Sequence, residues 1–374
     1  MDKDWKEIFR WFHEHPELGY QEYDTTRKIR EILEKDGIEI LETDLSTGII
    51  AVVRGSTEGK SVAFRADIDA LPIEEQTGLS YASAHSGIMH ACGHDFHITT
   101  ALAAAERLHE KRKEISGNVF FIFQPAEEVA DGAKTVIQTG MLKEVEEYYA
   151  FHVDPSLPAG TIGLKKGTIM AAVDQFKVTV EGKDTHAAMP YLGNNPIPVM
   201  AQMMIALQTS VPQKIPAIHP SVLSFTQICA GNTWNVIPGN GFFQGTMRSI
   251  LFQERKEMKE RFFTIVQGFV KMNDMQARVE WHEGPAPVIN DEDLCDTIER
   301  IAKKKHFNIK QVETNMISDD FSCYLEANEK AAGIYLKIGT GEGYPLHNSR
   351  FTVDISAIEI AAELLTDVLL ETAG

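Results

Sequence analysis

The feature that most constrains this chain is a change of rhythm along its length. Strongly apolar stretches at 48–54, 61–65, 118–123 and 148–153 alternate with helical patterns such as 25–35 and 96–111. Strands that apolar, separated by helices, predict a largely parallel sheet covered on both faces. From about residue 174 the order changes to strand 176–181, helix 197–208, strand 222–229, strand 241–249, helix 253–271 and strand 276–283. That is the β-α-β-β-α-β order of a ferredoxin-like unit. After Gly284-Pro285-Ala286-Pro287 the first rhythm resumes, with helix 291–305, strand 333–338 and helix 355–371. The expectation is an α/β catalytic domain in two pieces, 1–173 and 286–374, interrupted by a small α+β domain over 174–285. At 374 residues the chain is long enough for two domains.

Composition excludes several classes. A formal net charge of −18 argues against a nucleic-acid partner. No apolar run reaches membrane-spanning length, and Met1-Asp2-Lys3-Asp4-Trp5 lacks a signal-peptide pattern, so a cytoplasmic location is expected. Cys92, Cys229, Cys295 and Cys323 are too scattered for a disulfide framework.

Chemistry-bearing residues gather where strands end or helices begin, the edge at which open α/β sheets bind ligands. Arg65-Ala66-Asp67-Ile68-Asp69 puts two carboxylates at one strand end, where a cation or Arg65 can neutralise them, although a solvated loop also accounts for them. His90-Ala91-Cys92-Gly93-His94-Asp95-Phe96-His97 packs a thiol and three imidazoles into eight residues, just before a helix expected to open at Asp95 or Phe96 with Asp95 as its cap. A helix N-terminus lowers a thiol pKa, so this segment reads as a metal site or as a Cys/His nucleophile pair. Phe123-Gln124-Pro125-Ala126-Glu127-Glu128 runs an apolar strand into adjacent carboxylates that diverge, which allows one to bind a metal and its neighbour to act as a base. His152 and His347 are weak signals singly. As a set, Cys92, His94, Glu128, His152 and His347 suit borderline divalent ions, and five donors exceed one four-coordinate zinc. Two ions with Cys92 or a water bridging fit better.

With these motifs in order, together with His13-Glu14-His15-Pro16-Glu17-Leu18-Gly19, His186-Ala187-Ala188-Met189-Pro190 and Asn235-Val236-Ile237-Pro238, the sequence resembles the amidohydrolase branch of the aminoacylase and carboxypeptidase metallohydrolases. Hippurate hydrolases, auxin–amino acid conjugate hydrolases and N-acetyldiaminopimelate deacetylases belong to that branch. The resemblance implies a hydrolase of linear amides acting on N-acyl amino acids or related small compounds. It implies two divalent ions, Mn²⁺ or Zn²⁺ first and Ni²⁺ or Co²⁺ after them, held by Cys92, His94, Glu128, His152 and His347. Glu127 would be the general base and then the acid, and Asp69 would orient the site. His186, Asn235 and Arg248 on the inserted domain would hold the substrate, with His186 stabilising the oxyanion. That domain would serve as lid and as the surface of a homodimer or tetramer. The chain departs from the wider family where Asp67 fills a histidine slot, and from the branch where Asp319 stands in place of Glu. A metallo-exopeptidase on the same scaffold and a metal-free Cys92/His94 hydrolase are the competing readings.

Overall fold

In the computed structural model, which describes residues 3–374, the chain divides into two compact units. One comprises the chain up to Ile169, Ile289–Glu313 and Asp319–Gly374, and the other comprises Met170–Val288 and Thr314–Ser318.

The first unit is built on an eight-stranded sheet in the order Glu39–Ile40, Ile49–Arg54, Ser116–Gln124, Thr57–Asp67, Val145–Asp154, Ala332–Gly339, Ile162–Leu164, Ile309–Gln311. The four central strands are mutually parallel, and antiparallel neighbours adjoin them on either side. The central strands are buried along nearly their whole length, as a sheet covered on both faces requires. Helix His94–Glu110 packs between Trp5–Glu14 and Ala357–Thr372. Residues 98–105 of that helix are buried on every side, so the 3.6-residue periodicity is weak there and the helix reads as core. Asp67, Gln124, Asp154 and Gly339 close the carboxyl ends of the parallel strands, which sets one rim of the sheet as the place for chemistry.

The second unit is a four-stranded antiparallel sheet in the order Val222–Ala230, Asn240–Ser249, Ala172–Glu181, Gln276–Glu283. Helices Pro196–Ser210 and Phe252–Met272 pack onto it. Strand Ala172–Glu181 alternates strictly between buried and less buried residues. Phe176, Val178 and Val180 face the helices, meeting Met200, Met203 and Phe262. The chain order with this spatial order is ferredoxin-like. No helix among the described residues is long and apolar enough to cross a membrane.

Candidate metal centre

Each turn at the rim places its side chains by a distinct backbone device. Gly93 caps helix His94–Glu110 in the left-handed region, φ 80°, and an added Cβ would fall 2.4 Å from Val153 Cγ2. Glycine is the residue that fits there. This corrects the expected helix start: the helix opens at His94, and Asp95 lies in its first turn, bound by His13 Nδ1 at 2.6 Å. Ala126 is also left-handed (φ 55°), held there by an N–H donated to Glu22 Oε1 at 2.8 Å. It turns the chain into the short 3₁₀ segment Glu127–Val129. His347 has φ 63°, and its N–H donates to Ala91 O at 2.8 Å. Non-glycine residues kept in this region mark places where the surroundings dictate geometry.

These turns bring the donors together. Ligand atoms of Cys92, His94 and His152 lie within 4.8 Å of one another, as do those of Cys92, Glu128 and His347, and those of His94, Glu127 and Glu128. Cys92, His94 and Glu128 each belong to two of these groups, so the groups interlock. The histidines are oriented by backbone carbonyls. His152 Nδ1–H donates to Val153 O at 2.8 Å, leaving Nε2 3.3 Å from Cys92 Sγ. His94 Nδ1–H donates to Asp69 O at 2.9 Å and leaves Nε2 without a hydrogen bond, 3.5 Å from Asp67 Oδ2. Fixing one ring nitrogen by a hydrogen bond is how proteins present the other to a metal. Asp69 also accepts the Glu128 N–H on Oδ2 at 3.0 Å, so one residue positions two donors.

A test of fit comes from buried polar atoms. His94 Nε2, Glu128 Oε1 and Asp69 Oδ1 are buried without a hydrogen-bond partner. Such atoms are costly unless something else satisfies them. A thiol, three imidazoles and a carboxylate are donors suited to a transition-metal dication. The residues present therefore fit a metal centre.

Electrostatics agree. Burial pushes the Cys92 thiol well up, with His94 acting against it. The helix N-terminus expected to lower that pKa is outweighed by desolvation, so a self-activated Cys92 nucleophile finds no support in the protein alone. Burial holds His152 neutral, helped by Lys337. Burial works against charge on His94, but Asp67 and Cys92 outweigh it, and His94 sits well above its ordinary range. Glu127 is raised by burial and by the charges of Asp319, Asp320 and Glu128.

Asp67 does not stand free as a donor. Arg65 Nη1 donates to its Oδ2 at 2.6 Å, and His97 Nδ1–H binds Oδ1. His97 Nε2 then accepts the Val153 N–H at 3.1 Å. Asp319 accepts from Tyr335 OH and from the Phe321 N–H at 2.8 Å, and lies 3.2 Å from Arg65 Nη2. Both positions that depart from the family pattern thus belong to one buried network around Arg65. His97 and Asp320 went unassigned in the sequence, although His97 stands one helical turn from His94 on the same face.

In the second unit, exposed His186 and half-buried Asn235 are adjacent: His186 pairs with Val236 in a two-stranded ladder, and Ala187 N–H donates to Asn235 O at 3.0 Å. Arg248 is half-buried, and its Nη1 donates to Met316 O at 2.7 Å.

The chain is 41% identical over 358 residues to an N-acetyl-L-cysteine deacetylase of Bacillus subtilis, covering 96% of this chain and 85% of the relative. It is 35% identical to an N-acetyldiaminopimelate deacetylase of Streptococcus uberis, covering 95% of each. Among solved structures, a dinuclear metal-binding M20-family peptidase of Bacillus subtilis superposes with a TM-score of 0.90 at 36% identity, covering 99% of this chain and 97% of the other. The model of peptidase family M20/M25/M40 matches residues 63–371, and the chain belongs to that family.

Proposed function

We propose that this chain is a metal-dependent amidohydrolase that removes the acyl group from N-acyl amino acids or related small N-acylated compounds. The observation that carries this reading is the set of interlocking donor groups sharing Cys92, His94 and Glu128, with Glu127 beside them. The deacetylase relatives point to the same chemistry.

Cys92, His94, Glu128, His152 and His347 would hold two divalent ions, Mn²⁺ or Zn²⁺ foremost. When bound, such ions supply Lewis acidity to an acyl carbonyl and lower the pKa of water. Glu127 takes the proton from the attacking water and delivers it to the departing amine. Asp69 fixes His94 and Glu128 so that neither must reorganise during the reaction. Within the second unit, His186, Asn235 and Arg248 are the residues that the family resemblance implies for substrate binding, and the Arg248 guanidinium is of a kind that suits a carboxylate. Exposed apolar residues on the second unit, Ile205, Ile228 and Trp234 (91% exposed), together with the edge strand Val222–Ala230, support a homodimer formed through that unit. A cytoplasmic enzyme is the reading consistent with this substrate class.

The test is a panel of acetyl, benzoyl and longer acyl groups on several amino acids, with dipeptides alongside, assayed on chelator-stripped and metal-reconstituted protein. Reconstitution should restore hydrolysis of the acylated substrates. Glu127→Gln should lose about a thousandfold in turnover, in the range for a positioned general base, while keeping its metal content. Activity within tenfold of the parent would remove Glu127 from this role. Undiminished activity in the stripped protein would favour the metal-free cysteine reading.

A further inference from the structure

Glu22 stands at the N-cap of helix Tyr23–Lys35, yet its side chain makes no capping bond. An acid at that position ordinarily binds the first free N–H groups of its helix. Glu17 does so instead, accepting the Asp24 N–H at 3.1 Å and the Thr25 N–H at 2.8 Å. Glu22 is fully buried and is committed elsewhere. Its Oε1 accepts the Ala126 N–H at 2.8 Å, and its Oε2 accepts from the Thr47 hydroxyl at 2.8 Å. Ala126 is itself buried and left-handed, and it leads directly into Glu127. The segment before Glu22 braces the same turn. A Cβ on Gly19 would sit 3.2 Å from Ala126 Cα, and Tyr20 OH donates to Asp131 Oδ2 at 2.8 Å. Among the described residues no hydrogen bond reaches the Glu127 carboxylate, so the backbone of this turn decides where it points. Glu128 differs, because Asp69 Oδ2 holds its own N–H at 3.0 Å. The two adjacent acids have separate anchors.

We propose that Glu22 is a positioning residue for Glu127: its buried carboxylate, braced by Thr47, locks Ala126 in the left-handed turn that aims the base. The inference rests on the reading of Glu127 as the general base. A non-glycine residue stays in the left-handed region only while its surroundings over-determine it. A buried N–H stripped of its acceptor costs about as much as a lost hydrogen bond, so the Ala126 peptide would turn to find another. That turn carries the Glu127 carboxylate away from the attacking water and the departing amine. A misplacement of about 1 Å costs roughly a hundredfold in rate. The donor Glu128 keeps its anchor on Asp69, so ion binding should not follow. The turn needs hydrogen bonding and not charge. A glutamine at position 22 still offers an oxygen to Ala126, and its amide donates to Thr47 Oγ1 once the hydroxyl reverses its role.

The experiment compares the parent with Glu22→Met, Glu22→Gln and Thr47→Val. It measures kcat and KM of the Mn²⁺-reconstituted proteins on an N-acyl amino acid that the parent hydrolyses, and Mn²⁺ affinity by calorimetry. Hydrogen exchange of the peptide carrying Ala126 is followed by mass spectrometry in the chelator-stripped proteins. Glu22→Met should lose about a hundredfold in kcat with KM and Mn²⁺ affinity within about threefold of the parent. Its Ala126 amide should exchange about tenfold faster. Glu22→Gln should stay within about threefold of the parent in every reading. Thermal melts identify a variant that fails to fold; if Glu22→Met does so, the near-isosteric Thr47→Val decides, with kcat about tenfold lower and faster exchange at Ala126. A folded Glu22→Met or Thr47→Val with undiminished kcat overturns the proposal. So does Glu22→Gln as impaired as Glu22→Met, or a loss of Mn²⁺ affinity that matches the loss of kcat. If Glu127→Gln remains active, the reading of the base fails and takes the proposal with it. An inactive Glu127→Gln beside an unimpaired Glu22→Met sinks the proposal alone, so the two failures are distinct.

Discussion

The residue that organises the site most is Arg65. Its guanidinium reaches Gln124 Oε1 at 2.9 Å, Asp67 Oδ2 at 2.6 Å and Asp320 Oδ1 at 2.7 Å, all buried. Burial works against its charge, and Asp319, Asp67 and Asp320 more than overcome that. Removing the arginine strands these carboxylates in the interior, where an unpaired charge costs about 3–5 kcal/mol. Arg65→Met should therefore lose about that much in urea unfolding of the metal-free protein. A loss below roughly 1 kcal/mol would mean the acids simply take up protons, and Asp320, which burial already pushes up to about 7, would be the first to do so. That Cys92, His94 and Glu128 would come together was legible in the sequence, because a thiol and three imidazoles fall within eight residues before a helix and adjacent carboxylates follow an apolar strand. Their supports were harder to read. Asp320 accepts from Arg65, 255 positions away, and Tyr335 reaches Asp319 from a different element, and no local pattern encodes either contact.

At the scale of elements, the parallel strands and the β-α-β-β-α-β block were readable because their periods and lengths are strong signals. The edge strands Glu39–Ile40 and Ile309–Gln311, and Ile162–Leu164 next to the latter, are two or three residues long, too short for any period, and exist through pairing alone. The start of helix His94–Glu110 was misread because Asp95 has the chemistry of a cap, whereas the packing of Gly93 on Val153 decides where the helix begins. That contact fixes how the helix abuts strand Val145–Asp154, and so how Cys92 and His94 meet His152. Gly93→Ala combines a left-handed backbone with a Cβ clash against a β-branched side chain. It should cost about 2–4 kcal/mol in thermal or urea unfolding and weaken Mn²⁺ binding in the same protein. Stability and affinity both unchanged would show that the turn tolerates a side chain and does not set the helix position.

Stability of the whole chain should depend on pH in a way set by a group outside the donor set. His13 on helix Trp5–Glu14 is buried, with Nδ1 2.6 Å from Asp95 Oδ2 and Nε2 3.3 Å from Glu75 Oε1. Carboxylates only accept, so both ring nitrogens carry protons and His13 is an imidazolium. Burial opposes that charge, but the hydrogen bonds to Asp95 and Glu75 raise the pKa from 6.5 to about 10. Nearby His90, deep in the interior, is driven the other way by burial, to about 4, and stays neutral. Between 6.5 and about 10 the folded protein holds a proton on His13 that the unfolded chain releases. The stability this pair of ion contacts supplies is therefore complete below pH 6.5 and is lost as pH rises towards 10. Linkage puts its upper limit at roughly 5 kcal/mol, and breaking a buried pair of this kind costs about 3–5 kcal/mol. Urea unfolding of the metal-free protein from pH 6 to pH 10 should show a steady decline, and His13→Asn should be less stable at pH 6 and nearly flat across the same range. Parallel curves for the two proteins would mean that His13 holds no extra proton in the folded state, and that helix Trp5–Glu14 is anchored by its apolar face alone.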